Sequence, residues 1–362
     1  MANQLDQRDA VTLKVDGMEY RGWLDVRIAR GVDRAAADFT LSVTRQYWPI
    51  RPGSECEVWI GSDKLITGWV DEVLPSHSGG ERKIEVKGRS RTADLIDCSA
   101  VNKPGQWSNQ SLQRIADDLA WPYGIPVIVS GGGRVIPDHQ LQQGETVIES
   151  LNRLCAMRGL VATDDAEGRL RLHQPGAGLR ASQLLAAKGS GNVLKVSAKF
   201  SQRDRFHTYV VKGQQSGFDI DDSQQIAQPT GRATDPNIRQ RRTLIVMAET
   251  QADAARCTER AQWEAANRAG RSIEITATVQ GWRQQNGQLW PVNGIAPFRD
   301  DILGFSVDLL IAEASYTKSN AGTLTELRLA PPEAYRPQPA VPKNAALDGF
   351  AGLLRKELAR NG

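Results

Sequence analysis

Ser90, in the stretch GRSRTADLIDCSA (88–100), has the first setting along the chain that could support chemistry. A serine leaving a strand, with Arg, Asp and Cys close behind, has the make-up of an acyl-transfer nucleophile. A nucleophile elbow needs G-x-S-x-G between a strand and a helix. Here Thr92 stands where the second glycine belongs, and no helix clearly follows. The base would have to be a histidine brought from elsewhere, and His77, nearest in sequence, sits in a turn-like segment. The stretch therefore reads as a strand end. Gly88 relaxes the backbone, while Asp94 and Asp97 satisfy loop amides or pair with Arg89 or Arg91. Cys98 is expected to be buried, as free cysteines usually are.

The other chemical signals fail on context. GAGLRA (176–181) has dinucleotide-fingerprint spacing, but the preceding RLRLHQ alternates, whereas a buried parallel strand is almost wholly apolar. It reads as a turn before a short helix at SQLLAAK. SGGGR (130–134) lacks the G-K-[ST] that grips phosphate and reads as a flexible hairpin tip. Acid pairs occur at Asp117-Asp118, Asp164-Asp165, Asp221-Asp222 and Asp300-Asp301. Neighbours along a strand point to opposite faces, so adjacency alone makes no acid/base pair. Asp164-Asp165 reads as turn chemistry. RQRR (239–242) is a short basic run read as a solvated strand face or a subunit seam. Cys56, Cys98, Cys155 and Cys257 form no C-x-x-C pair, and four scattered histidines give no metal-ligand spacing. No catalytic residue, metal or cofactor is expected.

Bulk properties agree. The 362 residues suit two or three domains. With 45 basic and 42 acidic residues the net charge is +3, which gives no global pull toward nucleic acid or an anionic membrane. No apolar run approaches the roughly 18 residues that span a bilayer, and the N-terminus carries no signal-like apolar segment. The four thiols are expected to be reduced, in a protein made in a cytoplasm.

The elements that must carry these residues are mostly strands. Period-two alternation marks 11–15, 20–30, 37–43, 55–60, 65–74 and 82–88, each bounded by turn residues. Short strands without intervening helices suggest an antiparallel barrel or sandwich. After about residue 100 the character changes. SNQSLQRIADDLAWP predicts a helix capped by Ser108 or Asn109, and GETVIESLNRLCAMRG predicts a second that stops at Gly159. A hairpin is expected to turn at DDAEG. Strands return from 193, interrupted by one helix capped at Thr250 and ended by Gly270. Trp23, Trp48, Trp59, Trp69, Trp282 and Trp290 lie in or beside β segments, most of them as core. A proline-rich linker precedes a short amphipathic helix with Leu347, Phe350, Leu354 and Leu358 in register. That stripe is a candidate docking element.

The stretch 70–88 shares a layout with 311–330, with a one-residue shift. Each has an apolar residue two before a Glu, then a Ser/Gly turn and an alternating strand. The expected fold is mainly β with an α+β insert: a tube-like antiparallel β-barrel at 1–96, a small α+β domain at 97–186, a second, related barrel with one long helix at 187–336, and a linker with a short helix at 337–362.

Two blocks carry a family resemblance. LITGWVDEV (65–73) with KIEVKGRSRTADLIDCSA (83–100), and LWPVNGIAPFRDD through PPEAY (289–335), resemble the baseplate hub proteins of contractile-tail phages of the Mu type, related to the late-control protein D family. In the second block Trp290-Pro291, Asp300-Asp301, Tyr316 and Gly322-Thr323 match the family pattern. The resemblance implies a non-enzymatic homotrimer. Two β domains per chain would make a pseudo-sixfold ring between the tail tube and a central spike, within a virion assembled in the host cytoplasm. It implies other baseplate proteins as partners, no membrane binding by the monomer and no sequence-specific nucleic acid, although viral DNA passes through the channel. Two alternatives belong to other classes: a cell-wall hydrolase using Asp300, Asp301 and Glu313, and a carbohydrate-binding β module using exposed Trp.

Overall fold

The computed structural model describes residues 8–44, 49–79, 82–131, 133, 135–156, 158–187, 191–214, 229–251, 253–320 and 322–335. The docking stripe Leu347, Phe350, Leu354 and Leu358 lies outside these residues, as does Trp48.

The N-terminal strands are β1 (Val11–Val15), β2 (Met18–Tyr20), β3 (Asp25–Gly31), β4 (Asp38–Val43), β5 (Glu55–Ile60), β6 (Asp63–His77) and β7 (Arg82–Ser90). Alternation drives them: in β7, Ile84, Val86, Gly88 and Ser90 are buried while the residues between them are not. A five-residue helix, α1 (Ala93–Asp97), then follows where the sequence showed none.

The middle unit holds β8 (Gln106–Gln110), α2 (Leu112–Ala120), β9 (Val127–Val129), β10 (Ile136–Gln140), α3 (Val147–Ala156), β11 (Val161–Asp164) and β12 (Leu170–His173). The cap of α2 is Ser111, whose hydroxyl accepts from the Arg114 amide at 3.1 Å. Ser108 and Asn109 are taken up by β8 instead, which pairs with β10. A reciprocal capping box starts α3: Thr146 N–H donates to Glu149, and Glu149 N–H donates to Thr146 Oγ1. The DDAEG hairpin forms as expected between β11 and β12. The SGGGR segment is not a hairpin tip, because β9 joins β12 and β10 joins β8.

His139 is buried in this unit, with Nε2 2.8 Å from Ser150 Oγ and its ring 5.7 Å from Trp107. Burial, helped by the Arg153 guanidinium, pushes the imidazole down to about 4. The folded state therefore resists a proton that the unfolded chain takes up near 6.5. Stability from this group is full above that value and is lost as the pH falls toward about 4, by roughly 3 kcal/mol. Thermal melts at several pH values should show this slope, and His139→Gln should flatten it.

The C-terminal strands are β13 (Leu185–Ala187), β14 (Val193–Phe200), β15 (Thr208–Gln214), β16 (Thr230–Thr234), β17 (Thr243–Gln251), β18 (Ile273–Gln280), β19 (Ile295–Asp300), β20 (Phe305–Ser319) and β21 (Gly322–Ala330), with α4 (Ala254–Arg271) before β18. SQLLAAK is not helical: Leu185–Ala187 forms β13, in parallel ladders with β14 and β19. Strands β15–β17 make a separate sheet packed on α4 rather than part of the barrel. The α4 cap is Asp253, accepting from Arg256 N–H, and not Thr250.

One sheet of 13 strands runs β19-β13-β14-β18-β21-β20-β3-β4-β7-β6-β5-β1-β2. Because β19 also pairs with β20, its first six strands close into a barrel. Among the described residues the N-terminal seven are not closed by hydrogen bonds, and β20 takes the outer edge of β3. A single hydrophobic core runs beneath both parts, including Leu13, Ile28, Phe39 and Val86 from one and Ile275, Phe298, Tyr316 and Leu327 from the other.

The hairpins β6–β7 and β20–β21 match in detail. Each pairs a strand of 15 residues with one of nine, and against its hairpin partner each longer strand carries one bulge residue, Asp71 or Ala312. Val70, Glu72, Lys87 and Gly88 correspond to Ile311, Glu313, Arg328 and Leu329, a constant offset of 241 with no shift. Even an ion pair recurs, Lys87–Glu72 at 3.7 Å and Arg328–Glu313 at 3.4 Å.

Candidate assembly site

Ser90 is fully buried at the end of β7, where its hydroxyl accepts from the Ala37 amide at 3.2 Å and lies 2.8 Å from Thr92 Oγ1. His77 is paired with Arg82 at the opposite end of the same hairpin, so no Ser–His couple forms. Arg89 binds Asp97 and Asp71, each at 2.7 Å, which fixes the strand exit as expected. All four cysteines are free, but Cys98 is half-buried rather than buried. Burial pushes the Cys56 and Cys155 thiols up to about 12, far from a reactive thiolate.

The acids are occupied locally. Asp300 accepts from the Ile302 and Leu303 amides in the β19–β20 turn, Asp301 pairs with Arg299, and Glu313 pairs with Arg34 and Arg328. Asp165 caps its hairpin by accepting from the Glu167 and Arg169 amides, whereas Asp164 is buried and faces Arg30 at 3.5 Å. Burial pushes the Asp164 carboxyl up while Arg30 opposes it. This contact, with Thr67 Oγ1 donating to Ala166 O at 2.8 Å and Lys64 pairing with Glu167, seats the middle unit on the sheet. The basic run is not on a strand: it forms the turn before β17. There Arg242 donates to the Arg203 and Arg205 carbonyls and lies over Phe206. Among the described residues no group of three His, Cys, Asp or Glu could hold a metal, and no helix is long and apolar enough to cross a membrane. Trp23, Trp282 and Trp290 are buried, and Trp121 is exposed by itself beyond α2.

What stands out is backbone. The long strand β20 uses one edge twice: residues 305–310 pair with β19, and 313–318 pair with β3. Strand β6 uses its equivalent edge once, pairing with β5 up to Trp69. Among the described residues nothing pairs with that edge from Glu72 to His77. The edge of β14 opposite β18 is likewise open after Val193, where β13 makes its single pairing. On the face away from the core, ion pairs link the strands: Arg27–Asp38, Lys83–Asp25, Lys87–Glu72 and Arg89–Asp71. Sequence reasoning missed the open edges.

Residues 10–90 match the model of the Mu phage baseplate assembly protein GpP-like N-terminal domain, 92–174 that of the baseplate hub protein gp44-like second domain, and 253–338 that of the GpP fourth domain. Over 344 residues the chain is 32% identical to baseplate hub protein gp44 of Escherichia phage Mu, covering 90% of this chain and 89% of that protein. The chain belongs to the Mu-like baseplate hub family. Among solved structures, this baseplate hub protein is similar to the 43 kDa tail protein of prophage MuSo2 from Shewanella oneidensis, at 33% identity and a TM-score of 0.80 over 91% of this chain and 100% of that one. It shares its fold with the tail protein from Neisseria meningitidis MC58, at 23% identity and a TM-score of 0.79 over 91% of this chain and 98% of that one. The hub is a structural protein of the phage tail baseplate.

Proposed function

We propose that the hub works as a homotrimeric ring that joins the tail tube to a central spike. The observation that carries this reading is the internal match between the two β parts. Not only the hairpins correspond: the order β3-β4-β7-β6-β5 is repeated by β14-β18-β21-β20-β19. Two related β units per chain give three chains six similar units, which suits a junction between sixfold and threefold structures. The related units would fall in 1–96 and 187–336, flanking an α+β domain at 97–186, with 337–362 as linker and docking helix. Heterologous contacts that close limit growth to a fixed ring, and closure covers edges that are liabilities on a monomer. Catalysis has no part in this role.

Light scattering after size exclusion should give three times the mass of the 39.7 kDa chain. A strict monomer at every concentration, with or without the spike, would overturn the reading. The same measurement on a chain ending at Pro342 tests docking by Leu347, Phe350, Leu354 and Leu358: spike binding should weaken while the mass stays trimeric.

A further inference from the structure

We infer that the ring closes by pairing β6 of one chain with β14 of the next, antiparallel, with Leu74 opposite Lys199. The inference rests on the trimeric reading and adds the register of the joint. It follows from the joint already present within one chain. There, Glu313 to Lys318 of β20 pair with Gly31 back to Val26 of β3. The counterpart of β20 is β6, at the offset of 241. The counterpart of β3 is β14, because Ile28 and Ala198 pair respectively with Phe39 and Ile275, which hold equivalent places beside Gly88 and Leu329. If the two β units are related, the second joint must use β6 and β14. Both counterparts have open edges over this length, and they cannot meet within one chain, where they lie at separate places in the same sheet.

Carrying the register across places Val73 opposite Phe200, Leu74 opposite Lys199, Pro75 opposite Ala198, Ser76 opposite Ser197 and His77 opposite Val196. The chemistry of the two edges fits. Val73, Val196 and Ala198 sit at the rim of the common core, and Phe200 is 36% exposed, so one side of the joint is apolar. On the other side Leu74, 43% exposed, can lie along the Lys199 stem, and the ammonium falls diagonal to Glu72. Pro75 has no N–H, which is tolerated on an edge strand and discourages pairing with unrelated edges. The eight strands from β14 through β18, β21, β20, β3, β4 and β7 to β6 would then run unbroken from chain to chain. Three copies make a ring of 24 strands, beyond the 16–18 at which barrels leave an open channel.

Cysteine pairing tests the register. In a Cys98→Ser background, Leu74→Cys with Lys199→Cys should oxidise to covalent dimers and trimers on a denaturing gel. Coexpressed single variants, one bearing each cysteine, should stop at dimers. Leu74→Cys with Lys195→Cys, out of register by four residues, should link at least tenfold less. A chain shown to be trimeric by light scattering in which the 74–199 pair stays unlinked, or in which 74–195 links equally well, overturns the joint while leaving the ring intact. A chain that is monomeric and unlinked overturns both.

Discussion

Gly88→Ala is expected to destabilise the hub by about 3 kcal/mol, the upper range for inserting volume into a packed core, and to lower its melting temperature by roughly 5 °C. The sequence suggested that Gly88 relaxes the backbone; the structure gives it another role. Its position is an ordinary strand pairing between Phe39 and Val70. A Cβ there would lie 2.2 Å from the Trp69 carbonyl oxygen and 2.5 Å from the Phe39 ring. The carbonyl belongs to the adjacent strand, and the ring is fully buried, so neither can withdraw cheaply. Gly79, at the tip of the same hairpin, has nothing within 4 Å of its would-be Cβ. Gly79→Ala should leave the melting curve within a degree or two, so a similar loss at both positions would count against the packing explanation.

Trp282→Ala should cost about 3–5 kcal/mol. The indole is fully buried just beyond β18, edge-on to Tyr316 with ring centroids 6.5 Å apart. Its N–H is shared between the Thr317 carbonyl at 3.0 Å and the Leu324 carbonyl at 3.2 Å, across the β20–β21 hairpin. Tyr316 in turn donates to the Trp290 carbonyl at 3.0 Å. Removing the indole leaves a cavity and withdraws a donor from two acceptors. It does so beside the stretch of β20 that holds β3. Urea denaturation should show the full loss for Trp282→Ala. For Trp282→Phe, which keeps a ring but no donor, the loss should be about 1–2 kcal/mol. Trp282→Ala should also weaken ring assembly, since the two β parts are joined through that same stretch.

Much of the fold was legible in alternation. The runs 11–15 and 55–60 are strands with those bounds, and the segments at 65–74 and 82–88 lie within longer ones. Local signals failed where a distant partner decided the outcome. SQLLAAK has the composition of a helix, but Leu185–Ala187 is held as a strand by Phe298–Asp300, more than a hundred residues away. Ser108 looked like a helix cap, but pairing with Asp138 drew it into a strand and left the role to Ser111. The duplicated hairpins were visible as a repeated layout, and the apparent one-residue shift between them disappears once the pairings are known. The open edges could not be read at all, because an unpaired strand looks like a paired one until its neighbours are placed.

The cross-strand ion pairs on the outer face of the sheet have a consequence for traffic. If that face becomes the wall of the bore, many of its cations already sit beside carboxylates, Arg27 with Asp38, Lys87 with Glu72 and Arg89 with Asp71. A phosphate backbone gains affinity by releasing counterions to unpaired cations, and a wall of this kind supplies few. Nucleic acid moving along it would find a wet, hydrogen-bonding lining with no sustained grip, and would slide rather than stick.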